Sequence, residues 1–211
     1  MIDLFFVGID PATETGLVEI GEDGKLIGWI ELKAIGKTPA ARLNDNLNNI
    51  YRLLKRDSKV CIEGFALEAK FDTGKVSSGF NWAARLAIDR KVGQFDSATP
   101  NQLKNFVSVA EWEPDPERPG RKRKLEGKEV KRRVQAAVEA HWGHKPPTSN
   151  IADAYVLARI SEALWRLRQG QRELGDYPDY QRDVLHAILD PAGYKAAKEA
   201  TKGKRGKRGG V

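Results

Sequence analysis

The sequence predicts an α/β protein built on a mixed sheet with helices on both faces. Three observations lead there. An apolar run at residues 4–10 is followed by two β-prone runs around Gly21-Glu22-Asp23-Gly24, which reads as a strand leading into a hairpin. A helical stretch then precedes a second short apolar run, Val60-Cys61-Ile62-Glu63. Helix and strand signals mix from there on, as in a layered α/β sheet.

Each element rests on a local signal. Leu17-Val18-Glu19-Ile20 and Leu26–Leu32 are the hairpin strands. Residues 39–56 are helical, because Leu43, Leu47, Ile50, Tyr51 and Leu54 recur three and four apart. Pro39 suits the first turn. Lys59–Glu63 is a short buried strand. Residues 64–80 contain glycines and give no clear signal, and a helix runs from about Ser77 to Arg90. Gln94–Ala98 is a fifth strand. Thr99 then caps a helix whose first position is Pro100. Residues 112–127 hold three prolines, two glycines and a charge run, which predicts a mobile surface loop. Helices follow over 128–142 and 150–169. Residues 202–211 are of low complexity and predict disorder.

A chain of 211 residues suits one domain with extensions. The expected division is a folded domain over 1–170, a C-terminal extension over 171–194 and a basic disordered tail over 195–211. Its hydrophobic fraction of 40% is enough for a sizeable core. No run is long enough to span a membrane. Met1-Ile2-Asp3-Leu4 lacks the basic start of a signal peptide. The single cysteine, Cys61, sits in an apolar strand and reads as a small buried hydrophobe in a reducing compartment. Together these predict a cytoplasmic protein.

The net charge of +7 is unevenly spread. Residues 118–133 hold nine Lys/Arg against two Glu, and residues 195–211 hold seven against one. The rest of the chain is therefore net acidic. Two basic appendages on an acidic body suit contact with a phosphate backbone. Arg121, Lys122, Arg123, Lys124, Arg132 and Arg133 are the candidate contacts. The plainer reading is a pair of solvated, solubilising segments.

The chemistry rests on three acids. Asp10 ends the first strand, where Pro11 stops it and Gly16 permits the return. Glu63 ends a Val-Cys-Ile strand, an unusual place for a merely solvated acid. Asp153 lies near the start of the last long helix, three residues after Asn150 and on the same face. Taken singly, each has an ordinary explanation: a turn cap, a buried ion pair, an acid favoured by the helix dipole. Taken together, strand ends and a helix start can meet at one sheet edge, where converging carboxylates call for a hard divalent cation. Such sites commonly cut phosphodiester bonds. His141 and His144 lack the further ligands of a zinc site and read as helix-end residues.

These motifs resemble the RuvC-type Holliday-junction resolvases of the RNase H-like superfamily. The resemblance is carried by Gly8-Ile9-Asp10-Pro11, the strand-end Glu63, Ala152-Asp153-Ala154 and the basic stretch Lys131-Arg132-Arg133-Val134-Gln135. It runs in order over about residues 4 to 165. It implies an RNase H-like mixed five-stranded sheet. It also implies four metal ligands at Asp10, Glu63, Asn150 and Asp153, with Asn150 departing from the usual Asp. The amide oxygen can still bind Mg²⁺, with one charge fewer. Ala12 stands where a glycine is usual, and 112–127 looks like an insertion. These departures fit a divergent member of phage or mobile-element origin, working in a bacterial cell or an infected host.

The resemblance further implies two Mg²⁺ ions roughly 4 Å apart, with Mn²⁺ as a substitute. Lys131 would stabilise the transition state or bind a neighbouring phosphate; otherwise it is an ordinary exposed lysine. Phe65 or Phe71, among Phe65, Phe71, Phe80 and Trp82, would stack at the branch point of DNA. A two-fold junction needs two related nicks, hence a homodimer; Trp82, Leu86 and Ile88 on the 77–90 helix are its candidate interface. The expected function is resolution of four-way DNA junctions by paired symmetric nicks. The alternatives are nuclease action on other branched DNA or RNA–DNA hybrids, and a non-catalytic junction-binding relative. An actin-like or sugar-kinase phosphotransferase shares the strand-Asp-hairpin start, but needs a second domain and glycine loops that this chain lacks.

Overall fold

The computed structural model describes residues 4–65 and 71–206, with the side chains of 71–77 and 201–206 outside the description. A five-stranded sheet is its centre. The strands are β1 (Phe5–Asp10), β2 (Glu14–Gly21), β3 (Leu26–Lys33), β4 (Lys59–Glu63) and β5 (Asp96–Ala98), in spatial order β3-β2-β1-β4-β5. The pairs β1–β2 and β2–β3 are antiparallel, while β1–β4 and β4–β5 are parallel. Asp10 and Glu63, the last residues of two parallel neighbours, therefore end at the same edge.

Both faces of β1 are covered, which is why Phe6 to Asp10 is buried without alternation. One face carries Val7, Ile9, Leu17, Val60 and Ile62 against α1 (Pro39–Leu53) and α2 (Phe71–Lys91). The other carries Phe6, Val18, Ile20 and Cys61 against α5 (Ser149–Arg168), with α3 (Pro100–Phe106), α4 (Gly127–Trp142) and α6 (Asp179–Leu189) around it. Helix α5 buries eleven of its twenty residues, more than one amphipathic face would.

Two glycines let α5 settle onto the sheet. A Cβ on Gly8 would stand 1.9 Å from the Ala154 carbonyl oxygen, and one on Gly16 would stand 2.3 Å from that of Asn150. The Ser161 hydroxyl donates to the Lys59 carbonyl at 2.8 Å and pins the middle of the helix to the start of β4. The predicted cap is present: Thr99 forms a capping box with Gln102, followed by Pro100. Pro39 opens α1 as expected, and the structure adds a Thr38 cap before it.

Three expectations need correction. Helix α2 begins at Phe71, earlier than Ser77. Residues 112–127 are no irregular loop: β6 (Trp112–Pro114) and β7 (Lys122–Lys124) pair antiparallel, with Gly120 at φ +84° in the turn. The 195–211 tail is helical through Gly206 as part of α7 (Pro191–Gly206), as its alanine and lysine content favours; residues 207–211 lie outside the described residues. The 171–194 extension contains α6, whose Val184 and Leu185 join the main core.

The close approach at Gly8 yields a stability prediction. Gly8→Ala should lower unfolding free energy by at least about 1–3 kcal/mol, since backbone rather than a pliable side chain fills the space. Chemical denaturation measures it, and wild-type stability would show that α5 does not rest on β1 as described.

Candidate active site

The sheet edge at the ends of β1 and β4 brings three distant acids together. Asp10 is buried, and Glu63 and Asp153 are partly buried. Asp10 and Glu63 lie side by side, each acting on the other's proton affinity. Burial and then the Glu63 charge raise the Asp10 carboxyl well above its ordinary range. Burial, followed by the Asp153 charge, pushes Glu63 up to about 7. Burial, followed by the Asp10 charge, pushes Asp153 up to about 7. Among the described residues none of the three has a salt-bridge partner within 4.0 Å. Each carboxylate is thus disfavoured in its ionised form by burial and by its fellows.

Local structure holds these groups at the edge. The Gly64 amide donates to the Ala98 carbonyl at 2.7 Å, which continues the β4–β5 pairing past Glu63. The Asn81 amide of α2 donates to the Glu63 carbonyl at 2.8 Å, and Arg85 joins Asn81 to Ser97 of β5. Asp153 follows from the seating of α5, because Ala154 is the residue that touches Gly8.

Asn150 is placed at the same edge. Its Nδ2 donates to the Glu14 carbonyl and to Glu31 Oε1, both at 2.9 Å. The Thr148 hydroxyl donates to the same Glu31 oxygen at 2.9 Å. Glu31 is a site residue that sequence reasoning missed. It lies in one cross-strand row with Gly16 and Asp10, and its charge adds to the field that raises Asp10. The row is set by strand register, which no local pattern discloses.

Lysines line the other side. A cleft of about 430 Å³ is bordered by Glu63, Asp153, Lys104, Lys124 and Lys131. Lys131 lowers the proton affinity of all three acids, and Lys104 that of Glu63 and Asp153. Lys131 was expected here; Lys104, on α3 and ion-paired with Glu111, had no sequence signal. Lys131, Arg132, Arg121 and Lys122 are exposed. Arg133 is bound to Glu113 and Glu129 at 2.7 Å each, and Arg123 is ion-paired with Glu113. These two arginines hold structure together, whatever else they contact.

The aromatic candidates separate. The Phe65 ring lies 5.3 Å from that of Trp82, with the Arg85 guanidinium 4.8 Å from its centre. The Phe71 side chain lies outside the described residues. Phe80 is core. On α2, Trp82 and Leu86 are 56% and 46% exposed, but Ile88 is buried in the sheet core and is removed from any interface. His144 stacks on Tyr155 and His141 lies against Trp142, as helix-end packing residues.

The donor set is all oxygen, which suits Mg²⁺ or Mn²⁺ better than a metal that favours sulfur or imidazole. Among the described residues no three Asp, Glu, His or Cys side chains form a ready-made ion cage. The fit is therefore one of donor chemistry and charge. Asp10, Glu63 and Asp153 are the residues that would hold the ions; Asn150 stands at the same edge with its amide nitrogen already bonded.

The raised carboxyls carry a pH signature. Glu63 and Asp153 titrate near 7 in the fold, against ordinary values of 4.5 and 3.8. The folded state binds these protons more tightly than the unfolded chain. Their contribution is full below the ordinary values and lost as pH rises through about 7. The melting temperature of metal-free protein should fall across that window, and added Mg²⁺ should oppose the fall. A flat profile without metal would remove the carboxylate cluster as described.

No protein-family model matches the chain, and no curated protein matches it. Solved structures do. The chain is similar to T. thermophilus RuvC in complex with Holliday junction substrate, at 17% identity and a TM-score of 0.57, covering 81% of this chain and 97% of that one. It is likewise similar to the Thermus thermophilus RuvC structure, at 20% identity and a TM-score of 0.56, covering 80% and 97%. Likeness at this identity is a likeness of fold. The fold is the mixed five-stranded, RNase H-like sheet with helices on both faces.

Proposed function

We propose that this protein is a divalent-metal-dependent endonuclease that resolves four-way DNA junctions by paired symmetric nicks. The observation that carries the reading is the meeting of Asp10, Glu63 and Asp153 at one sheet edge, beside a lysine-lined cleft. The fold neighbour that was captured with a Holliday junction substrate supports the choice of DNA.

Bound Mg²⁺ or Mn²⁺ would supply Lewis acidity at the phosphoryl oxygens and a water made acidic enough to attack at neutral pH. The chain supplies the rest. Asp10, Glu63 and Asp153 would give up their protons and hold the ions. Lys131 and Lys104 meet the negative charge of the scissile phosphate and its neighbour. The helices and strands beneath keep the carboxylates aligned. In the reaction, water adds to phosphorus and gives up a proton, while the bond from phosphorus to the 3′ oxygen breaks and that oxygen leaves as a hydroxyl after taking one up. Phe65, ahead of α2, would meet bases opened at the branch. Two copies joined through Trp82 and Leu86 of α2 would present two sites to a two-fold junction.

One observation favours a second reading. The Asn150 nitrogen is held by Glu14 and Glu31, and its side chain brings no charge to the ions. A junction-binding relative without cleavage would tolerate that.

The test is nicking of a labelled immobile four-way junction, beside a linear duplex and an RNA–DNA hybrid, in Mg²⁺ or EDTA. Wild-type protein should nick the junction symmetrically and only with metal. Asp10→Asn and Glu63→Gln should abolish nicking while keeping binding, and Lys131→Ala should slow it about 10²–10³-fold. Tight junction binding with no cleavage under either metal would establish the second reading instead.

A further inference from the structure

The hairpin of β6 and β7 is rooted on both sides of the cleft. Its Leu125 end is buried, and the Leu125 amide donates to the Glu111 carbonyl at 2.8 Å. Glu111 is ion-paired with Lys104 of α3. Glu113 is ion-paired with Arg123 across the hairpin and with Arg133 of α4 at 2.7 Å. The turn is closed by backbone bonds from Asp115 to Arg121 at 2.9 Å and from Arg121 to Arg118 at 3.0 Å. The hairpin is therefore a fixed projection.

Its two faces differ in chemistry. Residues opposite one another in an antiparallel pair share a face, and the next pair takes the other. Glu113 and Arg123 form the face that is tied to α4. Trp112 pairs with Lys124, and Pro114 with Lys122, on the opposite face. Lys124 also borders the cleft beside Glu63 and Asp153. Trp112 is 51% exposed, and its ring centre lies 6.0 Å from the Lys124 ammonium. Residues 118–124 hold five Lys/Arg and no acid.

A lone exposed tryptophan needs no explanation. This one is held on a rooted hairpin, directly across from Lys124, which itself borders the carboxylate cleft. A base inside a continuous duplex has its faces covered by its neighbours, whereas an unpaired base can lie on an aromatic ring while nearby cations take its phosphates. We propose that Trp112, with Lys122 and Lys124, is a stacking platform for an unpaired base of the DNA strand entering the cleft. The hairpin then selects branched or frayed DNA over continuous duplex. The proposal rests on the reading of the partner as DNA.

The test is binding in EDTA, so that cleavage does not intervene. Fluorescence anisotropy would compare a four-way junction, a splayed-arm DNA and a linear duplex for wild type, Trp112→Ala and Trp112→Phe. Trp112→Ala should weaken binding to the first two about tenfold, leave the duplex unchanged and be largely rescued by Trp112→Phe. A 2-aminopurine at the branch should change emission with wild type and Trp112→Phe, and clearly less with Trp112→Ala. Equal binding by Trp112→Ala and wild type, or an equal loss on all three DNAs, overturns the platform. Failure of wild-type protein to bind any of them sinks the DNA reading itself, a separate result.

Discussion

Helix α5 lies so close to β1 and β2 that its backbone occupies the space where side chains at positions 8 and 16 would be. Much else follows from this contact. It carries Asp153 to the ends of β1 and β4, where Asp10 and Glu63 already share one edge. It buries Ile151, Ala152, Tyr155 and Val156 among the other core residues. Burial of that apolar surface stabilises a placement that the carboxylates alone would oppose, since they repel one another and lose hydration. Packing decides where the charges sit.

The surroundings of this acidic edge are basic but not uniformly free. Lys131 stands exposed over the acids, whereas Lys104 is paired with Glu111. Arg123 and Arg133 close on Glu113 and fasten the hairpin. A positive stretch of sequence has thus been divided by the fold. Some of its cations build the projection, and the others stay exposed on it or on α4. Counting charges along 118–133 could not make that division, because the deciding partner, Glu113, lies outside the run.

Asn150 and Glu31 show a similar dependence on tertiary placement. Beside Asp153 on one helix face, Asn150 reads as a ligand by position. In the fold its nitrogen is taken up by Glu14 and Glu31, and Thr148 binds the same Glu31 oxygen. The residue links the helix start to β2 and β3. Whatever it does for an ion is done by its oxygen, in an orientation set from outside the helix.

Local causes were enough for the hairpin about Asp23-Gly24, the helices that begin in Pro39 and Pro100 and the buried strands, and they singled out Asp10, Glu63 and Asp153 as acids in unusual places. Those features depend on periodicity, turn chemistry and the oddity of an acid closing an apolar strand, and all of these are readable within a few residues. Tertiary structure alone decided the row of Asp10, Gly16 and Glu31, the arrival of Lys104, the burial of Ile88 and the folding of 112–127 as a hairpin. Each of these depends on register or on a partner far along the chain. Prolines and a charge run argue locally for an irregular loop, and only pairing across the turn and the grip of Arg133 on Glu113 overrule them.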